Sequence, residues 1–419
     1  MTLAFDELAD MHLPTGNAWP PMRTAAVQRL TAFLPLAGKV YSSRRNFDLG
    51  PGRHQQVSAL SPWIRHRLLL ESEVAAAVLA RHRFQAAEKF IQEVCWRTYW
   101  KGWLELRPSI WADYRRNLDR QVSALQKDGR LNQRYQAAVT GNTGIDCFDA
   151  WSQELSETGY LHNHARMWFA SIWVFNLGLP WELGADAFFG QLLDGDAASN
   201  TLSWRWVAGL QTAGKEYRAT AGNIHKFTEG RFDPTGQLLA QPAAAEFTPP
   251  PAVGQMPQAG TIDPAASSGL LMTDDDLGVH DLEMPAVHWQ AALVLDGSAY
   301  RSPVNTAAHV TDFSQAAITD ALTRLAATRP LTTAVHTDFD SQTVLGFAKQ
   351  HQLSQLVWLT PTTGPAQDRL PNLEADLAAQ GCRLVRHYRP WDRRAWPQAT
   401  HGYFRFKKAL PGILETLSA

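Results

Sequence analysis

Residues 237–287 contain no lysine or arginine, although they carry several aspartates and glutamates. The stretch is rich in Pro, Ala and Gly and poor in large apolar side chains, which is typical of a tether rather than of a packed core. The chain has 419 residues, and at about 150 residues per domain it is too long for one ordinary core. We therefore predict two domains joined by a linker at 237–287.

The pattern of apolar residues differs on the two sides of that linker. Residues 25–236 show helical periodicity, above all in three stretches: 72–83, 84–107 and 160–177. Short apolar runs typical of buried strands follow residue 288, with helical stretches between them: 291–295, 332–337, 356–360 and 383–388. We predict an N-terminal extension (1–24), an all-α domain (25–236), an acidic linker (237–287) and an α/β Rossmann-like domain (288–419).

Charge and cysteine usage narrow the class of protein. The formal net charge is −1, so the whole chain gives no nucleic-acid signal, but residues 41–120 carry fourteen Lys and Arg against eight Asp and Glu. That excess could face phosphates or be an ordinary solvated surface. Three scattered cysteines without a CxxC pair indicate neither an iron–sulfur nor a zinc site. With no signal sequence and no long apolar run, we expect a cytoplasmic monomer.

One helical stretch combines a carboxylate, a guanidinium and indoles on one face. Glu93, Trp96, Arg97 and Trp100 follow one another at i, i+3, i+4 and i+7. A buried Glu is costly unless it is paired or used. An intrahelical Glu93–Arg97 pair flanked by core tryptophans is the structural alternative to a functional site.

A second helical face carries Asn163, Arg166 and Met167. The letters His-Asn-His at 162–164 match the name of a nuclease class, but residues two apart on a helix point to different sides and cannot share a metal. A D-G-D turn then supplies Asp194 and Asp196. It fails as a calcium loop because Arg205 stands where the bidentate Glu belongs, so helix capping is the alternative. We predict no metal site.

The segment Ser58–Ser61 leads into a helix and offers backbone N–H and hydroxyl groups to an anion such as a pyrophosphate. Taken alone, the same pattern serves as a plain helix cap. The order and spacing of these four elements, however, resemble the flavin-binding domain of the photolyase/cryptochrome family over residues 40–235. The matching motifs are Y-x-x-x-R-N from Tyr41, S-x-L-S-P from Ser58, E-x-x-W-R from Glu93, G-x-T-G-x-x-x-x-D-A from Gly141, N-x-x-R-M from Asn163 and D-G-D-x-x-x-N-x-x-x-W-x-W from Asp194.

The resemblance implies noncovalent FAD and assigns roles to individual residues. It implies these cofactor contacts: Tyr41, Arg45, Ser58, Ala59, Leu60, Ser61, Arg97, Asn163, Arg166, Asp194, Asp196 and Asn200. It implies that Glu93 and Asn163 hydrogen-bond a substrate beside Trp96 and Met167, and that Trp204 and Trp181 relay electrons to the flavin. The outer tryptophan of that relay is missing, and Tyr114, Tyr135 or Trp111 would replace it. Trp96, His164 and Trp206 are the implied DNA contacts.

The implied activity is blue-light-driven, FAD-dependent repair of cyclobutane pyrimidine dimers in DNA, which makes the chain a deoxyribodipyrimidine photo-lyase. Asn163 and Met167 favour this lesion over the 6-4 photoproduct, whose enzymes resemble the motif with His at both positions. The α/β domain resembles the family's antenna domain but stands last, and its second chromophore is unknown. His164 replaces a common Arg. A cryptochrome-like photoreceptor that signals to a protein partner is the alternative, favoured by the displaced domain and by the acidic linker.

Overall fold

The computed structural model describes residues 19–238, 247–282 and 287–417, so most of the predicted N-terminal extension lies outside the described part. The first region is helical, as predicted. Its helices are α1 (Arg23–Phe33), α2 (Lys39–Arg44), α3 (Ser61–Arg65), α4 (Glu71–Arg81), α5 (Phe84–Glu105), α6 (Ser109–Lys127), α7 (Gly129–Val139), α8 (Asp146–Thr158), α9 (Asn163–Ser171), α10 (Trp181–Gln191), α11 (Ala197–Val207) and α12 (Ala221–Phe227). None of the described helices is both long and apolar enough to span a bilayer.

Helix α5 runs through the middle of the helical region. It is 22 residues long and mostly buried, and it packs against α2, α4 and α11. Gly102 lies in its interior, where glycine costs about 1 kcal/mol relative to alanine. A Cβ at this position would lie 2.7 Å from the Cα of Trp396. The glycine therefore allows the C-terminal part of the chain to pack directly on α5.

The second region contains a five-stranded sheet in which every strand is parallel to its neighbours. The strands are β1 (Ser267–Thr273), β2 (His288–Leu295), β3 (Thr332–His336), β4 (Gln355–Leu359) and β5 (Arg383–His387), in the order β3-β2-β1-β4-β5. The strand order reverses direction between β1 and β4, so the carboxyl ends of these two strands open toward a common edge. That edge faces the helical region.

Helices connect and flank these strands. They are α13 (Ala308–Thr328), α14 (Ser341–Gln350), α15 (Pro365–Arg369), α16 (Leu373–Ala379), α17 (Pro390–Ala395) and α18 (Tyr403–Leu414). The predicted strands at 291–295, 332–337, 356–360 and 383–388 correspond to β2 through β5. The last two helices leave the sheet and pack on α5 of the helical region.

The predicted linker requires a correction, because residues 267–273 form β1, the central strand of the sheet. This strand is buried almost throughout, and a strand covered on both faces lacks the alternation that marks strands in a sequence. The residues just before this strand are rich in Pro and Ala and resemble a linker, so no sequence pattern indicated that a strand follows. The sheet region thus begins about twenty residues before the predicted boundary of 288.

The aspartates that follow β1 are buried in ion pairs and do not form an acidic surface. Arg67 of the helical region lies 2.9 Å from Asp276 and 2.5 Å from Asp392, and Arg389 lies 2.7 Å from Asp276. These four side chains are all less than one-tenth exposed. Loss of one partner from such a buried pair typically costs about 3–5 kcal/mol, so the network fixes the sheet region against the helices.

Candidate functional site

The turn between α10 and α11 places two carboxylates inside the helical region. Asp194 accepts two hydrogen bonds of 2.9 Å from the guanidinium of Arg166 on α9. Burial alone would raise the pKa of Asp194, but the Arg166 guanidinium outweighs it, and a hydrogen bond with Ser61 adds to the effect, so this pKa is lowered. The structure thus brings Arg166 and Asp194 together, and the pair keeps the carboxylate ionised.

Asp196 has two roles in the same turn. It caps α11 by accepting a 2.8 Å hydrogen bond from the Ser199 amide, as the capping alternative predicted. Its carboxylate also lies 3.4 Å from Nη1 of Arg97 and 3.6 Å from Nζ of Lys101, both on α5. Burial would raise the pKa of Asp196, yet these two cations hold it well below its ordinary value.

The cluster of Arg97, Lys101, Arg166, Asp194 and Asp196 therefore has three cations for two carboxylates. Lys101 also interacts with Asp275 and Asp392, so the cluster belongs to a larger buried ionic network, whose cations can stabilise an anionic ligand. Lys101 was not predicted, although it stands one helical turn after Arg97 in the sequence. That spacing is the signal that could have identified it.

Unsatisfied polar atoms accompany this ionic cluster. Within the described residues, no hydrogen-bond partner is present for these buried atoms on or beside the motifs: Arg97 Nη1, Ser199 Oγ, His162 Nε2 and Gln56 Oε1. Buried polar groups are nearly always hydrogen-bonded in a complete structure. Donors and acceptors left open beside a positive cluster fit a ligand with both phosphate and ring amide groups, as FAD has.

The Ser58–Ser61 turn lies against this cluster. Ser61 begins α3 and hydrogen-bonds with Asp194. Ala59 has a φ of 50°, in the left-handed region that a side chain disfavours. Its carbonyl accepts a 2.8 Å hydrogen bond from the Trp19 indole, and Arg29 Nε donates to the Ser58 carbonyl at 2.8 Å. The turn is thus held in a strained shape by its neighbours, as is common at ligand sites.

Glu93 does not pair with Arg97, so the structural alternative suggested by the helical spacing is wrong. Its carboxylate lies 3.1 Å from Nη1 of Arg45 on the segment after α2, while Arg97 turns toward Asp196. Burial raises the pKa of Glu93, and the nearby Arg45 opposes that shift. Glu93 and Arg97 therefore share a face of α5 but pair with different partners, Arg45 and Asp196.

The indole of Trp96 lies on the Glu93 side of α5 and is covered by the C-terminal helix. Its ring stacks on that of Tyr403, with centroids 3.6 Å apart and planes 9° from parallel. Trp100 lies beside it at 5.3 Å. No sequence pattern indicated Tyr403, because it begins the last helix of the chain and reaches α5 only through the tertiary fold.

The other predicted cofactor and substrate residues occupy varied surroundings. Asn163 is exposed at the start of α9, and Met167 is half-buried one turn later. Asn200 donates a 2.7 Å hydrogen bond to the Ala185 carbonyl. Tyr41 is buried against Phe90, with centroids 5.0 Å apart. Ala59 and Leu60 are buried in the turn described above, and Ser58 is half-buried.

Two of the predicted DNA contacts are used within the chain. His164 is buried, its ring stacks on Trp168 at 4.1 Å, and its nitrogens lie 3.0 Å from the Asn46 carbonyl and 3.1 Å from the Tyr217 hydroxyl. Burial lowers the pKa of His164. In this conformation His164 is therefore not available to a phosphate. Trp206 is half-buried and stacks on Tyr217 at 5.7 Å. No group of potential metal ligands occurs among the described residues.

The predicted relay tryptophans have different ring neighbours. Trp204 lies edge-on to Trp173, with centroids 6.1 Å apart, and Trp173 belongs to a π-helical segment, Ile172–Asn176. Trp181 lies 5.5 Å from Tyr114, which in turn lies 5.3 Å from Trp111. Trp173 was missed because an indole in a hydrophobic helix is indistinguishable from core packing in the sequence.

A cavity of about 20 Å³ lies where the carboxyl ends of the strands meet the helical region. Arg65 of α3 enters this edge, with Nη1 2.7 Å from Asp275 and Nε donating a 2.5 Å hydrogen bond to the Gly195 carbonyl of the D-G-D turn. Arg301 approaches Asp274 at 3.5 Å from the sheet side. This volume is enough for about one water molecule, so this cavity does not hold a planar chromophore.

Comparison with known proteins is consistent with the geometry. The family model for the FAD binding domain of DNA photolyase matches residues 90–241. The deoxyribodipyrimidine photo-lyase of Thermus thermophilus is 33% identical over 227 residues, which cover 52% of this chain and 50% of the relative. That of Escherichia coli is 28% identical over 238 residues, covering 53% and 46%.

Among solved structures, a bacterial class III photolyase from Agrobacterium tumefaciens has 26% sequence identity and a TM-score of 0.41, covering 56% of this chain and 46% of that one. The chain spans about half the length of the curated relatives that it matches. The match to the family model, over residues 90–241, includes the Arg166–Asp194 and Arg97–Asp196 pairs. Residues 90–241 of the helical region thus match the FAD binding domain of DNA photolyase, and the chain is similar to photolyases over about half of its length.

Proposed function

We propose that the helical domain binds FAD noncovalently and uses it to repair cyclobutane pyrimidine dimers under blue light. The observation that carries the proposal is the buried cluster of three cations and two carboxylates, whose Arg97 and Lys101 stand on α5 within two turns of Glu93 and Trp96. The cofactor would lie at the cluster, and the substrate would lie next to it at Glu93 and Trp96.

The cofactor contacts follow from this geometry. Arg166, Arg97 and Lys101 would stabilise negative charge on the flavin and its phosphates, while Asp194 and Asp196 would hold those cations in place. Ser58–Ser61 would lie at the phosphates, with Tyr41, Arg45, Asn163 and Asn200 completing the site. Bound FAD, when reduced and excited by blue light, supplies an electron to the dimer.

The chain's own residues would prepare the lesion for that electron. Extrusion of a damaged base pair costs a few kcal/mol, least where pairing is already weakened. Stacking on an indole such as Trp96 returns about 1–3 kcal/mol per base. Glu93, held by Arg45, would hydrogen-bond the polar edge of the dimer, with Asn163 and Met167 beside it. Damaged DNA is thus the proposed partner, with Trp206 as a further contact.

We assign the parallel-sheet region to a Rossmann-like, antenna-type domain that follows the flavin domain. The charge network of Arg67, Asp276, Asp392 and Arg389 would fix it there. With the edge of its sheet filled by Arg65, this domain would act as a rigid support in place of a second light collector.

A specific observation favours a second function, that of a cryptochrome-like photoreceptor. Tyr403 covers the stacking face of Trp96, and His164 is buried rather than directed to solvent. Both features reduce the surface that DNA could contact in this conformation. A photoreceptor would use the same flavin site but would need no open substrate face.

Illumination of the reduced protein with an oligonucleotide that contains a single thymine dimer distinguishes these functions. The measurement is the amount of intact thymine restored, by chromatography, against a dark control. Glu93→Gln should lower the yield while flavin absorbance is unchanged. The matched control is Glu157→Gln, which neutralises an exposed carboxylate on α8.

Light-dependent restoration by wild type and by Glu157→Gln, together with a loss in Glu93→Gln, would support repair. A flavin-bound wild type that restores no thymine under light would reject repair and leave the photoreceptor. A protein that neither purifies with FAD nor binds added FAD would reject both functions.

A further inference from the structure

The first turn of α18 covers one face of the Trp96 ring on α5, and Trp96 as a whole is half-buried. Tyr403 lies with its ring parallel to that of Trp96 at 3.6 Å, which is full van der Waals contact and leaves no space for another ring. The Tyr99 ring packs edge-on against the Tyr403 ring, with centroids 5.3 Å apart. Tyr403 itself is only 7% exposed, so it is integrated into this surface.

The contacts that hold this first turn are polar as well as aromatic. The Tyr403 hydroxyl donates a 2.7 Å hydrogen bond to the Gln92 carbonyl, and the Tyr99 hydroxyl donates one of 2.8 Å to the His401 carbonyl. Lys407 forms a 2.9 Å ion pair with Glu88, one turn before Gln92 on α5. That ion pair is one-third exposed at both ends and therefore contributes little.

The rest of α18 has anchors of its own. Phe406 packs against Tyr403 and Tyr99, but Leu410, Ile413 and Leu414 are buried farther along the helix, so these three can keep it packed while its first turn opens. The residues before it, His401 and Gly402, are exposed. Local opening of a helix end requires far less free energy than unfolding of a domain. The turn at Tyr403 is thus a separable element of the structure.

We propose that Tyr403 is an internal occupant of the base-stacking face of Trp96, and that a nucleobase binds only after the first turn of α18 moves aside. The inference rests on the proposed function, because that function makes Trp96 the stacking surface for a lesion. A phenol ring and a pyrimidine present the same kind of π face to an indole, so the two compete directly. DNA binding is therefore weaker than the open site would allow, and α18 controls access.

The test is equilibrium binding in the dark of a single-stranded, dimer-containing oligonucleotide, measured by fluorescence anisotropy. Tyr403→Ala should bind about tenfold more tightly than wild type, since stacking on an aromatic side chain changes affinity by about this factor per base. Phe404→Ala is the matched control. Its ring is 81% exposed, directly after Tyr403, and its removal should leave affinity unchanged.

A double variant, Tyr403→Ala with Trp96→Ala, determines whether the gain depends on the uncovered indole. The gain should disappear when both rings are removed. Equal gains in the single and double variants would overturn the proposal, because the effect would then not depend on Trp96. Affinity in Tyr403→Ala at or below that of wild type, in protein with an unchanged circular dichroism spectrum, would overturn it too.

Lys407→Glu provides a second variant if Tyr403→Ala does not fold. It places a like charge opposite Glu88 and loosens α18 without touching the aromatic rings. It also removes a positive charge, which by itself weakens binding to DNA. A severalfold gain in affinity would therefore report opening of the turn. A loss as large as that of Lys408→Glu, which makes the same charge change at the exposed neighbour, would count against it.

A parallel illumination assay separates this inference from the proposed function. If Tyr403→Ala gains Trp96-dependent affinity but no variant repairs dimers, the covering role of Tyr403 stands and repair is rejected. If wild type repairs dimers and Tyr403→Ala gains no affinity, repair stands and the covering role is rejected.

Discussion

Arg166 holds the Asp194 carboxylate by two hydrogen bonds of 2.9 Å, with the side chain of Asp194 2% exposed and that of Arg166 24% exposed. Removal of one partner leaves a buried charge without compensation. Arg166→Ala should therefore lower the free energy of unfolding by about 3 kcal/mol and release FAD. Chemical denaturation and flavin absorbance after gel filtration measure the two effects.

Arg116→Ala is the control for that change, since it removes an exposed guanidinium from a pair within α6. It should leave both stability and flavin content unchanged. An Arg166→Ala protein with wild-type stability and a full complement of flavin would show that the pair is not essential to the site.

Light-driven reduction of the oxidised flavin should depend on Trp204. We expect Trp204→Phe to abolish photoreduction by an external reductant and Trp181→Phe to slow it. Trp173→Phe should slow it as well, because the Trp173 ring lies 6.1 Å from that of Trp204. Flavin absorbance recorded during illumination gives the rates.

The relay assignment would fail if Trp204→Phe photoreduced at the wild-type rate. Trp358→Phe, in the sheet domain, is a suitable control because its ring lies in a different hydrophobic core. If wild type itself did not photoreduce, neither Tyr114 nor Tyr135 would replace the missing outer tryptophan.

Glu105 should make the protein less stable as the pH rises. Burial raises the pKa of Glu105 to about 7, with hydrogen bonds from Thr363 opposing the shift. The folded chain then binds this proton more tightly than the unfolded chain, whose glutamate titrates near 4.5. The contribution of this proton to the free energy of unfolding is complete below about pH 4.5 and is lost as the pH rises to about 7. At 1.36 kcal/mol per pKa unit, the loss amounts to about 3 kcal/mol.

Glu105→Gln removes this proton and should reduce the slope of unfolding free energy between pH 5 and pH 8. Asp186, whose pKa burial likewise raises to about 7, should retain part of the slope. Glu157→Gln should leave it unchanged. A Glu105→Gln protein with the full wild-type slope would contradict a protonated Glu105.

The protein should purify with one flavin per chain and no second chromophore at the edge of the sheet. Arg65, Asp275 and Arg301 fill that edge and leave a cavity of about 20 Å³. Chromatography of the released chromophores against protein concentration gives the stoichiometry. Titration with added FMN should show no further site, and a second bound chromophore whose binding is lost in Asp275→Ala would refute this.

The sequence predicted those parts of the structure that depend on local periodicity or on motif order. The helices of the first region and strands β2 through β5 follow from apolar spacing, whereas the ion pair of Arg166 with Asp194 is a finding of the structure. Strand β1 was missed because burial on both faces removes alternation. The Glu93–Arg97 pair was wrong because helical spacing shows which residues share a face but not which partners approach from elsewhere.

Tyr403 is the clearest case of information that only the tertiary structure supplies. Its hydroxyl reaches the Gln92 carbonyl across 311 residues of sequence, and nothing local marks it as a neighbour of α5. Arg65 and Lys101 are similar, since each acquires its role from a carboxylate contributed by a distant turn.

The packing of α17 and α18 on α5 also has a consequence for how the chain is made. Thr98 accepts a hydrogen bond from the Trp391 indole 293 residues later, so α5 leaves the ribosome long before its last neighbours exist. Contacts of such sequence separation slow folding, and Trp96, Thr98 and Gly102 stay without these partners until residues 391–403 have been synthesised. The helical region can reach its final form only after that segment has been translated.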